Sequence, residues 1–231
     1  MSSPSAVPRR PLRITPASVI VICVAALVVL GLVVLFSASS PIKGGPYAYL
    51  YKQFIFLAVA IAAGWVVAMV DLEQLRKFAW VVGVLALVAL LFVLIPGIGI
   101  KVNGARRWVG FGGVRLQVSE FAKLAMVFSL AHYLALNQSK LHDLLRGFII
   151  PLGWIGLFSG LIILEPDFGA AFLLGTIGVV LLFLAGVRLK FLLPAIGSLL
   201  VLFALLVLFN PLRLQRVLSF LDPEANRQGT G

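Results

Sequence analysis

The stretch Phe148–Val187, which reads FIIPLGWIGLFSGLIILEPDFGAAFLLGTIGVVLLFLAGV, decides the fold of this chain. As one helix it would run about 60 Å at about 1.5 Å per residue, roughly twice the ~30 Å hydrocarbon core of a bilayer. The charged residues in it, Glu165 and Asp167, flank Pro166 near the middle. We therefore predict two membrane helices joined by a tight turn at E-P-D-F-G, Glu165–Gly169.

The composition of the whole chain agrees with a membrane protein. Hydrophobic residues make up 61% of the sequence and charged residues 12%, and the mean hydropathy is +1.12. A soluble domain carries about 25% charged residues. The formal net charge of +11 favours anionic lipid headgroups or an anionic substrate as partners and argues against nucleic acid. Cys23 is the single cysteine, which excludes a disulfide within the chain.

Apolar runs of near-membrane length recur on both sides of this hairpin, so we predict an all-α polytopic membrane protein with about seven transmembrane helices. The predicted spans are about Ala17–Ala38, Tyr51–Val70, Phe78–Ile95, Ser119–Leu136, Phe148–Leu164, Phe168–Val187 and Phe191–Phe209.

Three predicted regions follow from these spans. Residues 1–15 form a disordered basic tail, 16–210 a transmembrane domain, and 211–231 the start of a large extracytoplasmic loop. Three arginines precede the first span, so we place the N-terminus in the cytoplasm, although this topology puts slightly more basic residues on the outer side than on the inner side. Basic side chains placed against that rule suggest a separate task, such as holding phosphate.

The stretch Asn103–Lys123, NGARRWVGFGGVRLQVSEFAK, carries most of the chemistry and is predicted to be an outer loop that runs into the fourth span. Glu120 and Lys123 are three residues apart, so on a helix they share a face. The E-P-D turn is predicted to reach the same outer surface. The candidate substrate-binding residues are Arg106, Arg107, Trp108, Glu120, Lys123, Glu165 and Asp167.

Structural explanations for these residues remain open alongside the functional one. The stretch could be an ordinary solvated loop, and Trp108 an interfacial anchor. The Glu120–Lys123 pair could be a helix-end ion pair. Glu165 and Asp167 could simply be the polar residues of a tight turn, although two carboxylates near lipid are energetically costly without partners.

Four motifs give the chain a resemblance to a known family. They are G-A-R-R-W at Gly104–Trp108, Q-V-S-E-F-A-K at Gln117–Lys123, E-P-D-F-G at Glu165–Gly169, and R-V-L-S-F-L-D-P at Arg216–Pro223. In order and spacing they resemble the SEDS family, which includes FtsW and RodA, and they are most similar to its division-type branch. The apolar pattern resembles the first seven of that family's ten membrane helices. Val118 departs from the pattern, since the family usually has proline there.

The resemblance implies a peptidoglycan glycosyltransferase that polymerises lipid II in septal cell-wall synthesis during cell division. It implies a bacterial inner-membrane location at the septum, a class B penicillin-binding protein and other division proteins as partners, and no organic cofactor. Arg106, Arg107 and Lys123 would clamp the lipid pyrophosphate. A divalent cation, Mg²⁺ or Mn²⁺, held by Glu120 or Asp167, could share that task.

The family's catalytic aspartate is expected beyond Gly231, so we expect the 231-residue chain to be inactive on its own. A flippase for lipid-linked precursors is an alternative, but it would need polar residues along its spans. A non-catalytic scaffold of the division machinery is a second alternative.

Overall fold

The computed structural model describes residues 15–40, 45–102, 105–111, 114–211 and 214–215. It divides into two compact units, residues 1–70 and 71–231. The predicted disordered tail, except Thr15, and the R-V-L-S-F-L-D-P motif lie outside the described residues, and the three predicted regions stay predictions.

The first unit contains two long helices, α1 (Pro16–Ser39) and α2 (Gly45–Met69). Thr15 caps α1: its side chain accepts a hydrogen bond from the Ser18 backbone N–H at 3.2 Å, and the Ser18 hydroxyl accepts one from the Thr15 N–H at 3.1 Å. This reciprocal pair satisfies two backbone donors that an uncapped helix start leaves free. Most side chains of both helices are exposed apolar groups, as expected of surfaces that face lipid.

The second unit contains six helices and a small antiparallel sheet among its described residues. The elements are α3 (Leu72–Lys77), α4 (Ala79–Leu94), β1 (Ile100–Val102), β2 (Ala105–Phe111), β3 (Val114–Gln117), α5 (Val118–Leu136), α6 (Ile150–Leu164), α7 (Phe168–Leu184) and α8 (Leu189–Leu208). A 3-10 turn at Gln138–Lys140 and a π turn at Leu145–Ile149 lie between α5 and α6.

A helix occupies each of the seven predicted spans, which confirms the all-α polytopic membrane fold. Among the described residues, four segments are long and apolar enough to cross a bilayer: Pro16–Ser39, Tyr47–Met69, Leu145–Leu164 and Leu189–Leu208. α4 and α7 are apolar but shorter, and α5 carries Glu120 and Lys123 in its first two turns. The predicted hairpin is present, because α6 ends at Leu164 and α7 begins at Phe168.

The short helix α3 was predicted only as a connection. The Asp71 side chain accepts a hydrogen bond from the Glu73 N–H at 3.0 Å, and Arg76 and Lys77 lie in the last turn. A carboxylate cap with cations at the opposite end is a sequence signature of a helix, since both complement the helix dipole. Because the segment is only six residues long, these features did not lead us to predict a helix there.

The core of the second unit lies between α4, α5, α6 and α7. Met126, Phe158 and Leu174 are fully buried in it. Close approach depends on glycine, because a Cβ at Gly178 of α7 would lie 2.6 Å from Ile155 of α6. Small residues are a common means of bringing membrane helices together.

A polar contact joins α5 to α6 within this core. The Trp154 indole N–H donates to the Ser129 hydroxyl at 2.8 Å, and that hydroxyl donates to the Ala125 carbonyl at 2.7 Å. The two bonds satisfy polar atoms that would otherwise be unpaired at membrane depth. The helices that carry the candidate site are therefore held together by both apolar and polar contacts.

Candidate active site on the sheet before α5

The predicted outer loop is a three-stranded antiparallel sheet in the order β1-β2-β3. Trp108 of β2 pairs with Gln117 of β3, and Gly110 pairs with Arg115. The prediction of a loop was wrong over residues 105–111 and 114–117. The β-branched and aromatic residues on either side of Gly112-Gly113 are a hairpin signal in the sequence.

A β-bulge sets Arg107 apart from its neighbours. Lys101 of β1 pairs with Arg106 and Ile100 pairs with Trp108, so Arg107 is the extra residue of β2. It also has no partner in β3, whose pairing with β2 begins at Trp108. Because bulges redirect side chains and are common beside active sites, this irregularity gives Arg107 a direction that the regular strand would not.

Arg107 is directed at the turn between α6 and α7. Its Nη1 donates to Asp167 Oδ2 at 2.8 Å, across 60 residues of sequence. The Asp167 side chain is 13% exposed and the Arg107 side chain 29%, so water only partly screens the pair. Charge-assisted hydrogen bonds of this length are among the stronger polar contacts in proteins.

Asp167 is the centre of this cluster because it accepts two further hydrogen bonds. The Gln117 side-chain amide donates to its Oδ2 at 2.9 Å, and the Ala170 backbone N–H donates to its Oδ1 at 3.2 Å. The second bond caps α7, where the helix dipole also favours a carboxylate. Gln117 also donates to the buried Ser119 hydroxyl at 2.9 Å. One carboxylate therefore joins β2, the end of β3 and the start of α7.

Gln117 belongs to the site although it was not among the predicted substrate-binding residues. It was available from the sequence, since it opens the Q-V-S-E-F-A-K motif. The sequence did not show which way the Gln117 side chain points. The residue ends β3 immediately before α5 begins at Val118, and there its amide reaches Asp167.

Glu165 lies two residues before Asp167 and is completely buried, with an exposure of 0%. Both of its carboxyl oxygens lack a hydrogen-bond partner among the described residues. Burial, followed by the nearby Asp167 carboxylate, raises the pKa of Glu165 to about 7, and the Arg107 cation partly opposes the rise. An uncompensated buried carboxyl of this kind is more typical of a functional site than of a turn.

Glu120 and Lys123 form a separate pair. The Lys123 amine lies 2.9 Å from both Glu120 carboxylate oxygens, which confirms that the two residues share one face of α5. The Lys123 side chain is 17% exposed and the Glu120 side chain 57%. Among the described residues, no hydrogen bond or ion pair joins this pair to Asp167.

The remaining basic and aromatic candidates lie on the sheet. Arg106 is half-buried and lies opposite Lys101. Trp108 is also half-buried, and its indole nitrogen is buried without a partner in the part of the chain that the structure describes. Arg115 is exposed on β3. Besides Arg107, the described strands therefore carry Lys101, Arg106 and Arg115 as cations.

The described residues do not form a metal site by themselves. They contain no group of three His, Cys, Asp or Glu side chains able to hold an ion. The Asp167 oxygens already accept hydrogen bonds from Arg107, Gln117 and Ala170, and Glu120 is paired with Lys123. The donor set does not fit a divalent cation held by the protein alone, because Mg²⁺ needs several free oxygen ligands.

Known proteins resemble this chain along most of its length. The FtsW/RodA/SpoVE family model, described as cell cycle protein, matches residues 17–231. A probable peptidoglycan glycosyltransferase FtsW of Coxiella burnetii is 40% identical over 220 residues, which cover 92% of this chain and 58% of the relative. One of the same description from Alcanivorax borkumensis is 41% identical over 87% of this chain and 54% of the relative.

Solved structures show the same architecture. The rod shape determining protein RodA of Thermus thermophilus superposes with a TM-score of 0.67 at 28% identity, covering 79% of this chain and 57% of that one. A structure described as showing coordination of polymerization and crosslinking by a peptidoglycan synthase complex also gives a TM-score of 0.67, at 29% identity over 88% of this chain and 58% of that one. The chain spans about half the length of the relatives it matches. With the family model matched from residue 17 onward and the fold shared, this chain belongs to the FtsW/RodA/SpoVE family of cell cycle proteins.

Proposed function

We propose that this chain contributes the pyrophosphate-binding part of a peptidoglycan glycosyltransferase, a lipid II polymerase of septal cell-wall synthesis. The observation that supports it most is Arg107 held at 2.8 Å by Asp167 on a bulged strand that is rich in cations. The relatives from Coxiella burnetii and Alcanivorax borkumensis are described as probable peptidoglycan glycosyltransferases.

The reaction places a clear demand on such a site. A sugar hydroxyl oxygen attacks an anomeric carbon, the bond from that carbon to the lipid pyrophosphate breaks, and the hydroxyl proton passes to a base. Negative charge grows on the leaving pyrophosphate. Cationic donors that are already in position when this charge develops lower the barrier, because they need no reorganisation during the reaction.

Arg107 fits this role because Asp167 holds its guanidinium in place while the described residues leave most of its hydrogen-bond donors free to bind a ligand. Of its five N–H groups, one donates to Asp167, the buried Nε–H has no partner among the described residues, and the side chain as a whole is 29% exposed. The planar fork can therefore keep its bond to Asp167 while it donates to phosphate oxygens. Asp167 and Gln117 act as positioning residues, since they hold the guanidinium and its partner in place.

Arg106, Trp108 and Lys123 complete the proposed binding surface. Arg106 and Lys123 add positive charge, and Trp108 can stack on a sugar ring. The three carboxyl groups are assigned to binding and positioning and not to proton transfer, because Glu120 pairs with Lys123, Asp167 pairs with Arg107 and Glu165 is buried. A divalent cation that arrives with the pyrophosphate stays a prediction, and no step of the proposal depends on it.

The proposed setting is the bacterial cytoplasmic membrane at the septum, with the N-terminus inside and the sheet outside. The proposed partner is a class B penicillin-binding protein, working with other division proteins. The chain is similar to a structure described as a peptidoglycan synthase complex that coordinates polymerization and crosslinking. This similarity supports a partner that crosslinks strands.

Lipid II binding by the purified chain in lipid nanodiscs tests the proposal. Arg107→Ala should weaken binding about 10- to 100-fold, because losing a charge-assisted contact costs about 1.5–3 kcal/mol. Arg107→Lys should recover part of the loss, since a point charge replaces a fork. Arg115→Ala, which removes an exposed cation from the same sheet, is the matched control and should have little effect. Equal affinities of the Arg107→Ala and Arg115→Ala variants would refute the assignment.

A further inference from the structure

Glu165 belongs to the proposed site, but its buried carboxyl makes no hydrogen bond to the described residues that would hold the pyrophosphate. We infer that Glu165 is a positioning residue that takes up a proton when Arg107 binds an anionic lipid pyrophosphate. The inference rests on the proposed function, and it adds a coupling between substrate binding and protonation that pyrophosphate binding does not require.

The first argument is the place that the backbone gives to Glu165. The residue ends α6, where its backbone N–H donates to the Leu161 and Ile162 carbonyls. This anchoring leaves the side chain inside the protein, completely buried and with both oxygens unpartnered among the described residues. The C-terminal end of a helix is also the negative end of its dipole, which disfavours a carboxylate. Position and surroundings both favour the neutral form.

The second argument is the group of charges beside it. Asp167 disfavours ionisation of Glu165, whereas Arg107 favours it. Arg107 is bound to Asp167 at 2.8 Å, so its charge is already partly neutralised. With burial as the largest contribution, the pKa of Glu165 is raised to about 7. The carboxyl group is therefore divided between its two forms at neutral pH.

Few other titratable groups can account for a protonation change at this turn. On the described elements of this unit, α4 and α6 carry none, and α8 carries Lys190 at the end remote from the turn. Asp71, Glu73, Arg76 and Lys77 lie at α3, which precedes α4 at the end remote from the sheet. Lys140, His142, Asp143 and Arg146 lie before α6, and Arg188 before α8, so these are also remote from the turn. The others are Asp167 at the start of α7, Arg106 and Arg107 on β2, Arg115 on β3, Lys101 on β1, and Glu120, Lys123, His132 and Tyr133 on α5. Glu120 and Lys123 pair with each other, and His132 and Tyr133 lie near the other end of α5.

The coupling follows from the balance of charge. A pyrophosphate that binds Arg107 adds negative charge beside Asp167. It also neutralises part of the Arg107 charge, which had stabilised the ionised form of Glu165. Both effects favour protonated Glu165, so binding takes up a proton. By reciprocity, protonation of Glu165 must strengthen binding by the same factor. A pyrophosphate that links a lipid to a sugar has no ionisation of its own near neutral pH, so the proton must come to the protein.

Isothermal titration of lipid II into the chain in nanodiscs tests this inference. Titrations near pH 7 in two buffers of different ionisation enthalpy count the protons that binding takes up. We expect a fraction of a proton for the wild type and none for Glu165→Gln. Wild-type affinity should fall by at least about 5-fold as the pH rises from 6 to 8, at the lower end of typical coupling between sites. The affinity of Glu165→Gln should stay nearly constant.

Glu73→Gln is the matched control, because Glu73 is exposed on α3 in a surface ion pair with Arg76. It should keep the wild-type proton uptake. Lipid II binding by the wild type without proton uptake, or the same uptake by Glu165→Gln, overturns the inference but leaves the proposed function intact. No lipid II binding at any pH overturns both. The wild-type proton count decides the matter even if the variant does not fold.

Discussion

Asp167→Ala is the change that most directly tests how the site is built. The side chain accepts three hydrogen bonds, from Arg107, Gln117 and the Ala170 backbone, at 2.8, 2.9 and 3.2 Å. Alanine removes all three and leaves a partly buried guanidinium without its counter-charge. The cap, the ion pair and the amide contact should therefore be lost together.

The expected cost can be estimated from these contacts. Loss of a helix cap costs about 1 kcal/mol, and loss of a charge-assisted hydrogen bond about 1.5–3 kcal/mol. Arg107 is 29% exposed, so water can solvate it after the change, and the full penalty of a buried unpaired charge does not apply. We expect the free energy of unfolding to fall by about 3 kcal/mol.

Reversible unfolding in mixed detergent micelles measures this cost, with Asp71→Ala as the control. Asp71 also caps a helix, by accepting from the Glu73 N–H at 3.0 Å, but it holds no arginine. Its loss should cost about 1 kcal/mol. A double-mutant cycle with Arg107→Ala should give a coupling energy of about 1–2 kcal/mol. If Asp167→Ala costs no more than Asp71→Ala, Asp167 does not organise the site and the reasoning fails.

Three further predictions follow from other parts of the molecule. Gly178→Ala should lower the melting temperature, because its Cβ would approach the neighbouring helix at 2.6 Å, whereas Gly153→Ala, with nothing within 4 Å, should raise it through the better helix propensity of alanine. Glu165→Gln should stabilise the fold at pH 8 by up to about 3 kcal/mol and hardly at pH 4, as thermal unfolding across pH would show. The reason is that the unfolded state releases this proton near pH 4.5 and the folded state only near pH 7, so stability falls as the pH rises between these values; an effect of equal size at both pH values would contradict the burial of this carboxyl. Finally, in a cysteine-free background, a membrane-impermeant thiol reagent applied from outside should label Arg115→Cys and leave His142→Cys unlabelled, and the reverse pattern would invert the topology.

The membrane class and the hairpin were predictable because length and apolarity determine them locally. A stretch about twice as long as the bilayer is thick must reverse, and Glu165, Pro166 and Asp167 are where its polar groups interrupt it. The pairing of Glu120 with Lys123 was equally local, since three-residue spacing places both on one helix face. Helical periodicity carries this information without any knowledge of distant contacts.

The sheet could have been predicted from the sequence, where we predicted a loop. A Gly-Gly pair between stretches that contain β-branched and aromatic residues is a recognisable hairpin signal in a sequence. The bulge is different, because it depends on the register between β1 and β2, and nothing in the residues around Arg107 specifies that register.

The tertiary structure alone decided which cation meets which carboxylate. The sequence offered Arg106, Arg107 and Lys123 as candidate clamps without showing which of them meets a carboxylate of the turn, and Asp167 lies 60 residues beyond Arg107. The choice of Arg107 results from the bulge that turns its side chain and from the α6–α7 turn that brings Asp167 to the sheet. The burial of Glu165 arises in the same way, because it depends on neighbouring elements and not on the E-P-D turn itself. Local patterns show which residues share a face, but the partner of a face is set by elements that are distant in sequence.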